Sequence, residues 1–353
     1  MSRYIGLDAH ASSCTLGVMT PSVQRIGLHV VETNARYLIE AVRQIPQPRH
    51  ICLEEGTLSE WLYEVLSPHA EKVVVAAVSE SRGPKDDRRD AFGLAEGLRL
   101  GAIKRKVYKE RGSFGPLGYR AKGYRWIRSD GVRVKNRLKA LYRSRGVAVA
   151  GRGVYTASKR GEYLGRLPKS AQSLAELLYE QMDALDGLKR EAKKAMLAEA
   201  KRHPEFRLVR SCPGLGPVRT AELLPIVVTP YRFQNKRRFW SYCGLGVVTR
   251  SSSDWVRAQS GEWMKTEVKR TRGLNRNLGH TLKAIFKGAA TTVIGRAEDD
   301  PVHRHYLGLL DGGTKPNLAK LTIARQIASI VLAVWRTKEG YDPKILESAA
   351  RRD

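Results

Sequence analysis

The chain has 353 residues, and its 63 Lys and Arg against 35 Asp and Glu give a formal charge of +28 at pH 7. An apolar share of 42% suits a globular protein with core enough for two or three domains. Four scattered cysteines without a CxxC pair argue against a zinc site or a disulfide framework; no apolar run approaches the ~20 residues of a membrane span; and the cation excess points to a polyanionic partner, nucleic acid first.

The charge is unevenly spread. Residues 1–103 carry 11 basic and 13 acidic side chains, residues 104–170 carry 20 and 3, and the remainder is again basic. Three regions are therefore expected: 1–103, 104–205 and 206–353. The start, MSRYIGLDAH, lacks the basic-then-apolar pattern of a signal peptide. A cytoplasmic location and no membrane partner are expected.

The first region alternates strands and helices. YIGLDAH (4–10), CTLGVMT (14–20) and IGLHVVET (26–33) read as strands, NARYLIEAVRQI (34–45) as a helix and HICLEEG (50–56) as a buried strand. A helix over 59–70, an apolar strand over 72–78 and an amphipathic helix over 86–101 follow. The order β-β-β-α-β-α-β-α predicts an α/β domain with a mixed sheet. The middle is harder to parse, with Gly and Arg frequent over 111–133, a helix over 133–144 and a long helix over 170–203. That last helix spaces Leu174, Leu177, Leu178, Met182, Leu185 and Leu188 at i, i+3/i+4, as a coiled-coil arm or a bundle helix would. The final region reads as mainly helical, closing with an amphipathic helix over 315–335.

Asp8 lies inside an apolar strand, where an ionised carboxylate is costly without a partner. Glu54 ends another apolar strand, with Glu55 beside it. Asp87 and Asp90 are three apart in the first turn of a helix, so they share a face. If the two strands are neighbours, all four acids converge at one sheet edge. Oxygen ligands of this kind suit Mg²⁺ or Mn²⁺, and paired ions can act on a phosphodiester. Taken singly, Asp87 and Asp90 also fit plain first-turn acids, and Glu54 or Glu55 a solvated strand end.

GLDAH, LEEG and KDDRRDAFGLA together resemble the ribonuclease-H-like nucleases of the RuvC type. They are more similar still to the transposases of the insertion-sequence one-ten family, bacterial RNA-guided recombinases. The family's third motif, Lys-x-Asp-x-x-Asp-Ala, corresponds to Lys85, Asp87, Asp90 and Ala91. Its second, usually Glu-Ala-Thr-Gly, is here Glu54-Glu55-Gly56-Thr57. The resemblance implies a RuvC-like fold for the first domain and metal-ligand roles for Asp8, Glu54, Asp87 and Asp90. It spans about the whole chain, although the middle diverges.

In the last region, RSCPGLGPVRTAELLP (210–225) looks like a helix-hairpin-helix turn, whose glycine amides bind a backbone phosphate without reading sequence. A basic-aromatic helix then leads through Gly244-Leu245 to Ser251, Ser252 and Ser253. On residues alone these serines read as a polar loop or a helix cap. The resemblance places a phosphate-attacking serine at Ser252, with Ser251 and Ser253 as alternatives. Arg250, Lys265 and Arg272 are cations close in sequence.

Residues 104–170 interleave cations with Tyr108, Phe114, Tyr119, Tyr124, Trp126, Tyr142, Tyr155 and Tyr163, a mixture suited to unpaired bases as well as to core packing. The resemblance implies a structured non-coding RNA as guide, donor and target DNA as substrates, and a homo-oligomer, dimer or tetramer. Three readings follow: an RNA-guided DNA recombinase using a metal site and Ser252, a RuvC-like resolvase without a covalent intermediate, and a non-enzymatic nucleic-acid scaffold.

Overall fold

A computed structural model describes residues 1–77, 86–103, 112–252, 255–265, 269–274, 280–296 and 300–344. The chain forms two compact units, Met1–Glu110 and Arg111–Asp353.

The first unit is built on β1 (Arg3–Ala9), β2 (Ser13–Met19), β3 (Arg25–Glu32), α1 (Ala35–Gln44), β4 (Arg49–Glu54), α2 (Ser59–Leu66), β5 (Lys72–Ala76) and α3 (Asp87–Arg99). The strand order is β3-β2-β1-β4-β5, with β1–β3 antiparallel and β4 and β5 parallel to β1. This is the mixed sheet the sequence predicts. Its two faces follow from the period of two along each strand. Ile5 and Leu7 of β1 pack with Ile51 and Leu53 of β4 against Leu38 and Val42 of α1 and Leu62 and Leu66 of α2. The alternate residues of β4 and β5, Cys52, Val74 and Ala76, meet Leu94 of α3 on the other face. Side-chain caps fix the starts of α1 and α3: Asn34 accepts from the amide of Arg36, and Asp86 from that of Arg88.

The seat of α3 is unusually close. Gly6 and Gly17 are cross-strand partners beneath it. A methyl at Gly6 would stand 1.8 Å from the Ala91 carbonyl oxygen and 2.7 Å from the Ala95 nitrogen, and one at Gly17 would stand 3.0 Å from the Phe92 ring. The paired glycines make a flat floor that lets the helix backbone rest on the strands.

The second unit contains α4 (Gly115–Arg143), α5 (Arg160–Gly165), α6 (Lys169–Ala200), α7 (Pro204–Arg210), α8 (Pro217–Val227), α9 (Lys236–Tyr242), β6 (Val247–Ser252), β7 (Trp255–Arg257), β8 (Trp263–Lys265), β9 (Lys269–Leu274), α10 (His280–Arg296), α11 (Pro301–Asp311) and α12 (Pro316–Thr337). Helix α4 begins well before the expected 133–144. Gly118, Gly123 and Gly131 each cost about 1 kcal/mol in a helix interior, which makes the stretch read as loop. Packing overrides this: Leu117, Ala121, Tyr124, Val134, Leu138 and Tyr142 are all buried. Helices α4 and α6 run antiparallel, tied by Lys135–Asp186 at 3.3 Å about midway along the pair and Arg120–Glu199 at 3.7 Å near one end.

Small residues Ala171 and Ala175 of α6, with Tyr179 and Met182, face the pair. Leu174, Leu177 and Leu188 stay outside, at 50%, 63% and 50% exposure, so only part of the expected leucine spacing marks the inward face. The near end of this hairpin, Leu117 and Tyr124 with Met196 and Ala200, shares one core with α7–α12. The segments expected as 104–205 and 206–353 are thus joined by a common core. Two short ladders, β6–β9 and β7–β8, interrupt the otherwise helical last region. Among the described residues, Pro316–Thr337 is a helix long and apolar enough to cross a membrane. Its Ile323, Ile327, Val331 and Trp335 are buried in that same core.

The glycine floor gives a direct test. Gly6→Ala should cost about 3 kcal/mol or more, the upper range of overpacking, because backbone rather than a flexible side chain blocks the methyl. Urea denaturation of the variant measures it; a loss below about 1 kcal/mol would contradict the close seat of α3.

Candidate active site

Asp8 is one residue from the end of β1 and, by alternation, on the α3 face with Gly6. Its side chain is 20% exposed. His10 Nε2 lies 3.3 Å from Asp8 Oδ2 and 3.3 Å from Asp87 Oδ1. The His10 backbone is held on both sides: its N–H donates to the Ser13 carbonyl at 2.9 Å, and its carbonyl accepts from Thr33 Oγ1 at 2.8 Å. One ligand atom from each of Asp8, His10 and Asp87 lies within 4.8 Å of the others.

Burial pushes the Asp8 carboxyl above its ordinary range; His10 pulls it back, and the charges of Asp87 and Asp90 push it up again. Asp90 therefore belongs to the same electrostatic cluster. Glu54 is the last residue of β4, and the partners Leu7 and Leu53 put it level with Asp8 on the adjacent strand. Alternation gives Glu54 the face of Cys52, whose thiol is pushed up to about 12 by burial and by the Glu54 charge. Glu55 is exposed beyond the strand, its N–H donating to the Ala76 carbonyl at 2.8 Å. The sheet thus puts Glu54, not Glu55, on the side where α3 carries Asp87 and Asp90.

Several carboxylates crowded into a partly buried corner, with one imidazole between them, repel one another and would gain from a cation. Carboxylate oxygens suit Mg²⁺ or Mn²⁺, and an imidazole is better matched to Mn²⁺. The sequence reading passed over His10. Its signal was the i, i+2 spacing in LDAH, which would put Asp8 and His10 on one side of an extended chain.

Ser251 and Ser252 end β6, antiparallel to β9. Register sets Ser252 opposite Lys269, Ser251 opposite Arg270 and Thr249 opposite Arg272. The serines expected as loop or cap are therefore in a strand whose partner, Lys269–Leu274, is basic. Ser253 and Lys85 lie outside the described residues. Arg250, Lys265 and Arg272 fall in β6, β8 and β9.

The glycine-rich turn joins α7 to α8. Gly214 has φ +70° and packs so tightly on α10 that a methyl there would stand 2.3 Å from the Ala289 carbonyl oxygen. Arg219 Nη1 donates to the Gly214 carbonyl at 2.9 Å and to Thr292 Oγ1 at 3.0 Å, holding the turn. Of the aromatics in the basic middle, Phe114, Tyr124 and Tyr142 are core, and Tyr155 and Tyr163 are packed against it. Tyr119 and Trp126 are 55% and 60% exposed, and Tyr108 lies outside the described residues.

Because ionised Asp8 is disfavoured in its folded setting, Asp8→Asn should raise the melting temperature in EDTA. If these acids hold Mn²⁺, the variant should also lose the stabilisation the ion gives, about 2.7 kcal/mol when the ion is at 100 times its Kd. A variant that keeps the full Mn²⁺ shift would place the ion elsewhere.

No curated protein matches the chain. Residues 206–306, from α7 through the serine strand into α11, match the family described as Transposase IS116/IS110/IS902 family. The match covers 101 of the 353 residues and supports an IS110-family transposase.

Proposed function

We propose that the chain is a transposase that cuts and rejoins donor and target DNA with two sets of residues, one in each unit. Asp8, Glu54, Asp87 and Asp90 would hold Mg²⁺ or Mn²⁺, and Ser252 would attack the phosphate. The observation that carries the reading is the convergence of the acids at the ends of β1 and β4 and the start of α3. The strand order β3-β2-β1-β4-β5, with only the first three strands antiparallel, supports a ribonuclease-H-like reading of that unit.

A bound divalent ion supplies electrostatic stabilisation of the charge on the reacting phosphate. The Ser252 hydroxyl attacks phosphorus, its proton passing to a base. The bond from phosphorus to the leaving sugar oxygen breaks, and that oxygen takes up a proton. The serine–phosphate ester conserves the bond for rejoining, in which a strand hydroxyl attacks and releases the serine. The basic strand opposite Ser252 suits a phosphate before and after attack. The +28 charge and the exposed Trp126 support a nucleic-acid partner. A structured non-coding RNA as guide, a homo-oligomer for synapsis and a cytoplasmic location complete the proposal.

Purified protein with the flanking non-coding RNA, Mg²⁺ and both DNAs should recombine them. Asp87→Asn and Asp90→Asn should each lower recombination by about 10³-fold, the loss of several kcal/mol of charge stabilisation. Ser252→Ala should abolish covalent protein–DNA adducts on denaturing gels. Cleavage that proceeds without any adduct would favour the resolvase reading, and full activity of the Asp variants would sink the metal site.

A further inference from the structure

Two cavities in the second unit run into each other along one side of α10. The first, of about 860 Å³, opens beside the glycine turn and is lined by Arg210, Arg219 and Arg296. The second, of about 580 Å³, is lined by Trp126 and Arg128 of α4 and by Glu222 of α8. Arg219 and Gly288 belong to both, and the Arg219 guanidinium lies over Gly288 where the two cavities meet in one groove. Its floor is the small-residue side of α10: Thr281, Ala284, Gly288, Thr291 and Gly295 recur at helical spacing over about 21 Å. Small side chains leave room for a strand along the helix on either side of Arg219, which crosses the floor with Nη1 held by Gly214 and Thr292, and Arg210 and Arg296 flank one half.

The second cavity has features a phosphate backbone alone does not require. Trp126 is 60% exposed, with Lys122 Nζ 4.8 Å from its ring centroid. Glu222 has a side chain only 4% exposed. Its Oε2 faces Arg128 at 3.6 Å and the charges of Arg125 and Arg219 also offset its own, while its Oε1 accepts no hydrogen bond. A buried carboxylate oxygen without a donor is costly, and a donor entering the cavity would relieve it. An aromatic platform beside a buried acceptor describes a place for a flat ring that carries an amine. The groove's other acid, Asp300, is engaged: Oδ1 accepts from the Val302 amide at 2.8 Å and the Tyr341 hydroxyl at 3.3 Å.

We propose that this groove binds a single strand of nucleic acid, with phosphates along Arg210, Arg219 and Arg296 and one unpaired base stacked at Trp126, its exocyclic amine donating to Glu222. The site rests on the nucleic-acid reading above but needs neither the metal nor Ser252. The strand could be unpaired DNA or a loop of RNA; the chemistry is shared.

The test is fluorescence anisotropy of the full chain in EDTA with labelled 20-mers: oligo(dC), oligo(dT), their RNA counterparts, and a blunt duplex. Oligo(dC) should bind more tightly than oligo(dT), and Glu222→Gln should narrow that difference. Trp126→Ala, at an exposed position, should weaken single strands about tenfold, the loss of one stacked base, and leave the duplex within twofold. Arg210→Ala with Arg296→Ala should lower the salt slope for single strands by about 1.4, two phosphate contacts. The ratio of DNA to RNA affinity identifies the natural strand. Equal binding of oligo(dC) and oligo(dT) would overturn the base pocket. Unchanged binding in both the tryptophan and the arginine variants, with melting temperatures matching the parent, would overturn the groove. Because the assay excludes divalent ions, neither result depends on the catalytic proposal.

Discussion

The first unit depends on how closely α3 lies on β1 and β2. Gly6 and Gly17 bring helix backbone into contact with strand backbone, and the Ala91 carbonyl occupies the space a side chain would need. That seat fixes the height and rotation of the first turn of α3, where Asp87 and Asp90 stand three residues apart. It sets Asp87 where His10 reaches it and Asp8 together. A looser helix would let the like charges drift apart; this one forces them to share a corner.

Crowding of that kind carries a stability cost. Asp8 is partly buried and surrounded by negative charge, offset by His10. Proteins keep such arrangements where function needs them, and a divalent cation is the simplest partner that converts repulsion into binding. The second unit uses the opposite field. Its basic strand β9 runs beside the serine strand, and arginines flank the floor of α10. On the proposed reading, one unit concentrates negative charge for metal and the other positive charge for phosphate.

Much of this was legible in the sequence. The first unit was readable because its strands and helices obey their own periods and its turns carry their own caps, and Asp8 stood out because an acid in an apolar strand demands a reason. Glu54 and Glu55 could not be separated by composition; the register Leu7–Leu53 separates them. His10 was missed because an exposed histidine after a strand end has no signature until the helix above it is in place. Helix α4 was cut short by its glycines, whose cost is met by a core that lies far away in sequence. Strands β6–β9 escaped because runs of only three to six residues, with apolar and basic residues mixed, show no clean alternation. The groove depends on α4, α8 and α10 coming together, which no local pattern announces.

The central claim, that Asp8, Glu54, Asp87 and Asp90 hold a divalent ion, is tested most directly by letting the ion report its own position. The full chain is loaded with Fe²⁺ in place of Mg²⁺, ascorbate and peroxide generate hydroxyl radicals at the ion, and mass spectrometry maps the backbone breaks. The account predicts breaks near residues 8–10, 54 and 87–90 that Mg²⁺ suppresses by competition and Asp8→Asn abolishes. Breaks confined to other segments, or a pattern unchanged in Asp8→Asn, would contradict it.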